Sequence, residues 1–177
     1  AHGLVGSEMC IRDRYYALQF LSGARRQIFV VFAGFMMVEK FGFEVHQLTA
    51  LFLVNLVINI FAAPLFGYFV AFFGERRDLL IEYSGLIFVF LAYGGIYIFD
   101  WGVMLAATLF VLDHLFFGLR MALKTYFQKI SAPEDIAPTA AVAFTINHIA
   151  AVFLPVFLGL LWLVSPALVF IIAAFIA

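Results

Sequence analysis

Residues 48–73 read LTALFLVNLVINIFAAPLFGYFVAFF, and Gly74-Glu75-Arg76-Arg77-Asp78 follows directly. The stretch holds no Asp, Glu, Lys or Arg, and it exceeds the ~20 residues a helix needs to cross a bilayer core. Lipid offers no partner to backbone N–H and C=O groups, so such a segment must satisfy them internally, as a helix does. The rest of the chain repeats the pattern. Of its 177 residues, 66% are hydrophobic and 12% are charged, against about 25% charged in soluble domains. A soluble globule of this size leaves too much of its chain facing water to hide that apolar surface. The composition excludes a soluble enzyme and a disordered chain. A formal charge of −1 without a basic patch excludes a nucleic-acid binder. An all-α integral membrane protein is expected, with the lipid bilayer as its first partner.

Outward from residues 48–73, the pattern predicts six spans: Tyr15–Val38, Leu48–Phe73, Leu79–Phe99, Trp101–Lys124, Ile136–Val164 and Ala167–Ala177, the last stopping mid-helix. The longest polar stretch, Lys129-Ile130-Ser131-Ala132-Pro133-Glu134-Asp135, reads as a loop. Lys and Arg collect on the cytoplasmic side of membrane proteins. Arg76, Arg77, Arg120, Lys124 and Lys129 fall on one side, and Lys40 on the other beside Glu39, Glu44 and Asp100. Both ends of the six-helix unit are therefore expected to be cytoplasmic, in a multi-pass protein of a bacterial inner (plasma) membrane.

The first fourteen residues, AHGLVGSEMCIRDR, depart from this pattern. Residues 4–13, LVGSEMCIRD, match the in-frame translation of a transposase-tagmentation sequencing adapter. Its two leftover bases complete an Arg codon when the insert begins with A or G, which fits Arg14. Residues 1–14 are accordingly expected to be adapter-derived and excluded from fold reasoning. Residues 15–177 are then a fragment whose native start lies upstream of Tyr15. The single Cys, Cys10, falls in the excluded part, and one Cys permits no internal disulfide.

Six helices with cytoplasmic ends and a short basic loop after the second resemble one half of a major facilitator superfamily (MFS) transporter. Such a half is built from two inverted three-helix repeats. Phe20-Leu21-Ser22-Gly23, and Val38-Glu39-Lys40-Phe41-Gly42-Phe43 after it, look like the family's seventh helix and following loop. The family's hallmark loop is G-x-x-x-D-R-x-G-R-R. Gly67, Gly74 and Arg76 fall at matching positions, with Arg77 beside them, while Ala71 and Phe72 replace the Asp-Arg pair. That departure fits the C-terminal half, helices seven to twelve with the last one truncated. The stretch from Lys124 to Pro138 suits the tenth-to-eleventh connection. The resemblance implies a secondary transporter working by alternating access, completed by the N-terminal half of the same chain.

Ionisable side chains at bilayer depth are costly and mark functional positions. Arg25 and Arg26 lie near the middle of the first span, where they could bind a carboxylate or phosphate bidentately or anchor the helix at the cytoplasmic rim. Asp113 and His114 lie near the middle of the fourth. Asp113, Phe117, Arg120 and Lys124 follow i, i+4, i+7 and i+11, one helical stripe. Asp113 serves proton coupling or solute contact, or else a static ion pair with Arg25 or Arg26. Asn147 and His148 lie a third of the way into the fifth span, as solute ligands or packing groups. Asn55 and Asn59 share a face of the second span and read as helix–helix glue. Under the resemblance, the first and fourth spans line the central cavity, and these carry the Arg and Asp-His pairs. The expected solute is small, polar and, given two arginines, anionic, with proton coupling through Asp113, His114 and His148. A non-transporting protein of the same fold is an alternative. An intramembrane enzyme pairing Asp113-His114 with Asn147-His148 on a metal is another. No H-E-x-x-H motif or P-loop is present, so neither metal, cofactor nor ATP hydrolysis is expected.

Overall fold

A computed structural model describes the backbone of residues 2–177 and the side chains of residues 13–177. The adapter match at residues 1–14 falls almost wholly outside the described side chains.

No strand occurs among the described residues. Helix α1, His2–Gln27, runs through a π-helical segment, Ile28–Ala33, into α2, Gly34–Phe41. Gly42, left-handed at φ 66°, ends this run, its N–H bonding Val38 O at 3.0 Å. Glu44 and Gln47 form a capping box that starts α3, Val45–Phe73. Gly74 alone joins α3 to α4, Glu75–Phe99, and its φ of 78° is a conformation that glycine adopts without strain. Helix α5, Val103–Gly118, turns at Leu119-Arg120 into α6, Met121–Ile130. Helices α7, Pro133–Trp162, and α8, Pro166–Ile176, complete the chain.

Among the described residues, five of the resulting runs are long and apolar enough to cross a membrane: Asp13–Phe41, Val45–Phe73, Glu75–Phe99, Val103–Ile130 and Pro133–Trp162. Pro166–Ile176 is a shorter sixth. They have the length and composition of a multi-pass membrane bundle.

Two sequence expectations are corrected. The polar stretch Lys129–Asp135, and with it the connection from Lys124 to Pro138, is not a long loop. Helix α6 continues to Ile130 and α7 begins at Pro133, leaving only Ser131 and Ala132 between them. Pro133 fits the first helical position, where its missing N–H costs nothing. Glu134 and Asp135 in the first turn complement the helix dipole. For the same reason the third span starts at Glu75 rather than Leu79, with Glu75 and Asp78 in its first turn.

Span 1 packs along α7, α4 along α8, and α5 against both α3 and α4. Ile28, Met36 and Met37 of span 1, Phe90 and Tyr93 of α4, Phe110 of α5 and Phe170 of α8 are fully buried at their junction. Lipid tails are as apolar as Leu, so close packing rather than water exclusion holds such helices together. Helix α3 behaves differently and leaves Leu53, Leu56, Ile60, Phe61 and Leu65 uncovered.

One end of the bundle is tied by polar contacts. Lys40 Nζ donates to Asp100 Oδ1 at 2.6 Å and lies 5.0 Å over the Tyr97 ring. Trp162 Nε1 donates to Glu39 Oε2 at 2.8 Å. The Lys40 bond and its charge hold the Asp100 carboxyl below its ordinary range. At the opposite end, Lys129 of α6 is bonded to Glu75 of α4.

Candidate functional site

Arg25 and Arg26 are consecutive, so a helix points them about 100° apart. Arg25 turns into the bundle and is 3% exposed, whereas Arg26 is exposed toward α7 and α6. This divergence separates the polar groups into two neighbouring clusters.

The first is buried. Arg25 Nη2 lies 3.6 Å from Glu82 Oε1, and the guanidinium stacks 4.4 Å above the Tyr83 ring. Asp78 stands one turn before Glu82 on α4. Ser22 stands one turn before Arg25 on α1. Ser22, Arg25, Asp78 and Glu82 are buried, as is Asp113 of α5, whose carboxyl is within electrostatic reach of Arg25 and of the Tyr93 hydroxyl. The ion pair of Arg25 is made with Glu82, so of the two readings of Asp113 the static pair with Arg25 or Arg26 is not formed. Glu82 and Asp78 were not among the sequence candidates. Their i, i+4 spacing within a span was the available signal, masked by counting that span from Leu79. His114 is not part of this cluster. It is half-buried, with its ring 6.1 Å from that of Phe29.

The second cluster lines a cleft of about 490 Å³ between α1, α7 and the α5–α6 region. Arg26, Arg120 and Lys124 face it together with Gln19, Asn147 and His148, and no carboxylate is among the lining residues. Arg120 lies in the turn that breaks the expected stripe from Asp113 to Lys124, and its guanidinium covers the Phe117 ring at 4.3 Å. His148 Nδ1 is 2.8 Å from Phe144 O. A carbonyl only accepts, so Nδ1 is the donor in this contact. Asn147 Nδ2 donates to Gln19 O at 3.3 Å, tying α7 to α1. The tie is close because Gly23 faces Asn147, and a Cβ there would meet Asn147 Nδ2 at 2.9 Å.

Of the loop positions singled out in the sequence, Gly67 lies inside α3 with open space around it, Gly74 forms the α3–α4 joint, and Arg76 and Arg77 are exposed on the first turn of α4. Among the described residues, no group of three or more His, Cys, Asp or Glu is placed to hold a metal ion. No protein-family model matches the chain, and neither a curated protein nor a solved structure does.

The arrangement therefore offers two chemistries. The cleft concentrates positive charge with planar guanidinium donors, which suit carboxylate or phosphate oxygens. The buried cluster holds carboxyl groups out of water beside a fixed cation.

Proposed function

We propose that the chain is half of a secondary transporter of the MFS type, moving a small anionic solute by alternating access. The observation that carries this reading is the cleft. Three cations from two spans, with no carboxylate among its lining residues, form a field that favours an anion over any neutral or cationic solute. The packing order agrees with the two-repeat plan. Span 1 packs on span 5 as span 4 packs on span 2, and span 3 packs on span 6. These pairs interchange when spans 1–3 are swapped with spans 4–6. Lys40–Asp100 and Glu39–Trp162 tie one end, while the cleft lies toward the end bearing Arg76, Arg77 and Lys129, taken as cytoplasmic. Helix ties at one end and a cleft toward the other suit alternating access.

The experiment is uptake by the complete protein in lipid vesicles, with labelled succinate and inorganic phosphate as probes. Uptake of either that falls in Arg26→Gln and Lys124→Gln supports the reading. Transport of a neutral or cationic solute, indifferent to both substitutions, refutes it.

A further inference from the structure

The cleft does not account for the charges buried beside it. Asp78, Glu82 and Asp113 are each at most 1% exposed. Both carboxyl oxygens of Asp78, both of Glu82 and Oδ1 of Asp113 accept no hydrogen bond from the described residues. Arg25 is the one Lys or Arg buried to a similar degree among those residues, and its Nε and Nη1 donate to none of them. Its 3.6 Å approach to Glu82 is an ion-pair distance, longer than a hydrogen bond.

The charges acting on Glu82 come from three elements. Arg25 faces it from α1, Asp78 from its own helix, and Arg120 acts on it from the α5–α6 turn. Tyr83 lies beside it, while Lys129 of α6 is engaged by Glu75. Helices α3 and α8 bring no charged side chain to it. Three ionised carboxylates outnumber Arg25, the one cation buried among them, while Arg120 acts on them only from the cleft wall. An uncompensated charge out of water is far costlier than a neutral carboxyl, so the cluster favours taking up a proton.

We propose that this cluster is a proton carrier, in which Glu82 takes up one proton and Arg25 then transfers its ion pair from Glu82 to Asp113. One O–H bond forms at the Glu82 carboxylate, the proton coming from water. On discharge it returns to water, Arg25 re-engages Glu82, and no other bond changes. The route is marked on α4, where Glu75, Asp78 and Glu82 follow steps of three and four along one face, over ~10 Å of helix axis. Glu75 stands at the Lys129 end, so the row begins near the aqueous rim. Arg25 lies three residues before the π segment, and such departures from α geometry recur at functional sites.

The role in coupling rests on the transporter reading, but the proton site is tested separately. Infrared difference spectra of the complete protein in lipid vesicles, taken across pH, report protonated carboxyl groups by their C=O stretch. A titrating band is expected that Glu82→Gln abolishes and Glu82→Asp retains at a changed frequency. Arg25→Gln moves its midpoint upward by about 1–3 pH units, the influence of an adjacent Arg on a carboxyl. A band unchanged in Glu82→Gln, or a midpoint unmoved in Arg25→Gln, overturns the inference. If Glu82→Gln does not fold, Glu82→Asp and Arg25→Gln still decide it. Binding of labelled succinate or phosphate is measured on the same vesicles. Anion binding without the band sinks the proton site alone, and the band without anion binding sinks the solute reading alone.

Discussion

Gly23→Ala probes the contact on which the cleft's geometry depends. The added Cβ would lie 2.9 Å from Asn147 Cγ and Nδ2 and 3.0 Å from Asn147 O. Comfortable carbon contacts lie at ~3.5–4.0 Å. The amide can swing aside, losing its bond to Gln19 O for about 1 kcal/mol. The carbonyl oxygen belongs to the backbone, so relieving it separates α7 from α1. Overpacking of this kind costs about 1–3 kcal/mol. Replacing Gly with Ala inside a helix returns about 1 kcal/mol. The lost amide bond and the propensity gain cancel, leaving a net destabilisation of about 1–3 kcal/mol. Thermal unfolding of the complete protein in detergent, followed by circular dichroism, reads this as a lowered midpoint. Asn147→Ala in the Gly23→Ala background removes Cγ and Nδ2 and restores part of the loss. The double-mutant cycle then shows a coupling of at least about 0.5 kcal/mol. A Gly23→Ala protein as stable as wild type, or more so, refutes the argument, because propensity alone predicts that result.

Other perturbations are as direct. Arg26→Gln and Lys124→Gln each weaken anion binding about 10- to 150-fold, from the 1.5–3 kcal/mol typical of hydrogen bonds to charged groups; equilibrium binding of labelled succinate measures it. Asp100 has a depressed carboxyl pKa in the folded chain, so its bond to Lys40 contributes fully above the ordinary carboxylate range and is lost as pH falls through the depressed value. Asp100→Asn tolerates the left-handed backbone and removes the charge. The difference in thermal midpoint between wild type and this variant should shrink on acidification, and a constant difference from pH 7 down to about pH 3 contradicts the ion pair. Trp162→Phe keeps a ring against Phe32, stacked at 5.4 Å, but loses the N–H donated to Glu39. It and Glu39→Leu should each cost about 1 kcal/mol without adding in the double variant, as thermal unfolding would register.

The spans were legible because a bilayer sets their length and their apolar content together. Their ends were less so. Pro133-Glu134-Asp135 reads as loop by polarity, yet those residue types are what a helix N-terminus favours. Arg26, Asn147 and His148 do converge on the cleft. Arg25 and Asp113 converge elsewhere, because adjacent residues on a helix diverge and composition carries no information on that angle. Glu82 as the partner of Arg25 is not readable for a related reason: the sequence does not tell which span lies beside which. Glu82 is missed because four residues of boundary error, Leu79 against Glu75, move it to the rim. Its spacing from Asp78 was in plain view.

The π segment Ile28–Ala33 sets an angle as well as a path. Each residue of an α-helix advances its face by about 100°. The wider turn therefore fixes the azimuth of Ser22 and Arg25 relative to Met36 and Met37 differently from an unbroken helix. Were this stretch to tighten to α pairing in one state of the protein, the two parts of span 1 would counter-rotate. Arg25 would sweep across the cluster while Met36 and Met37 stayed seated in the core. A local change of winding would then act as a torsional coupling between the charged end of the span and its apolar end, without either helix having to slide.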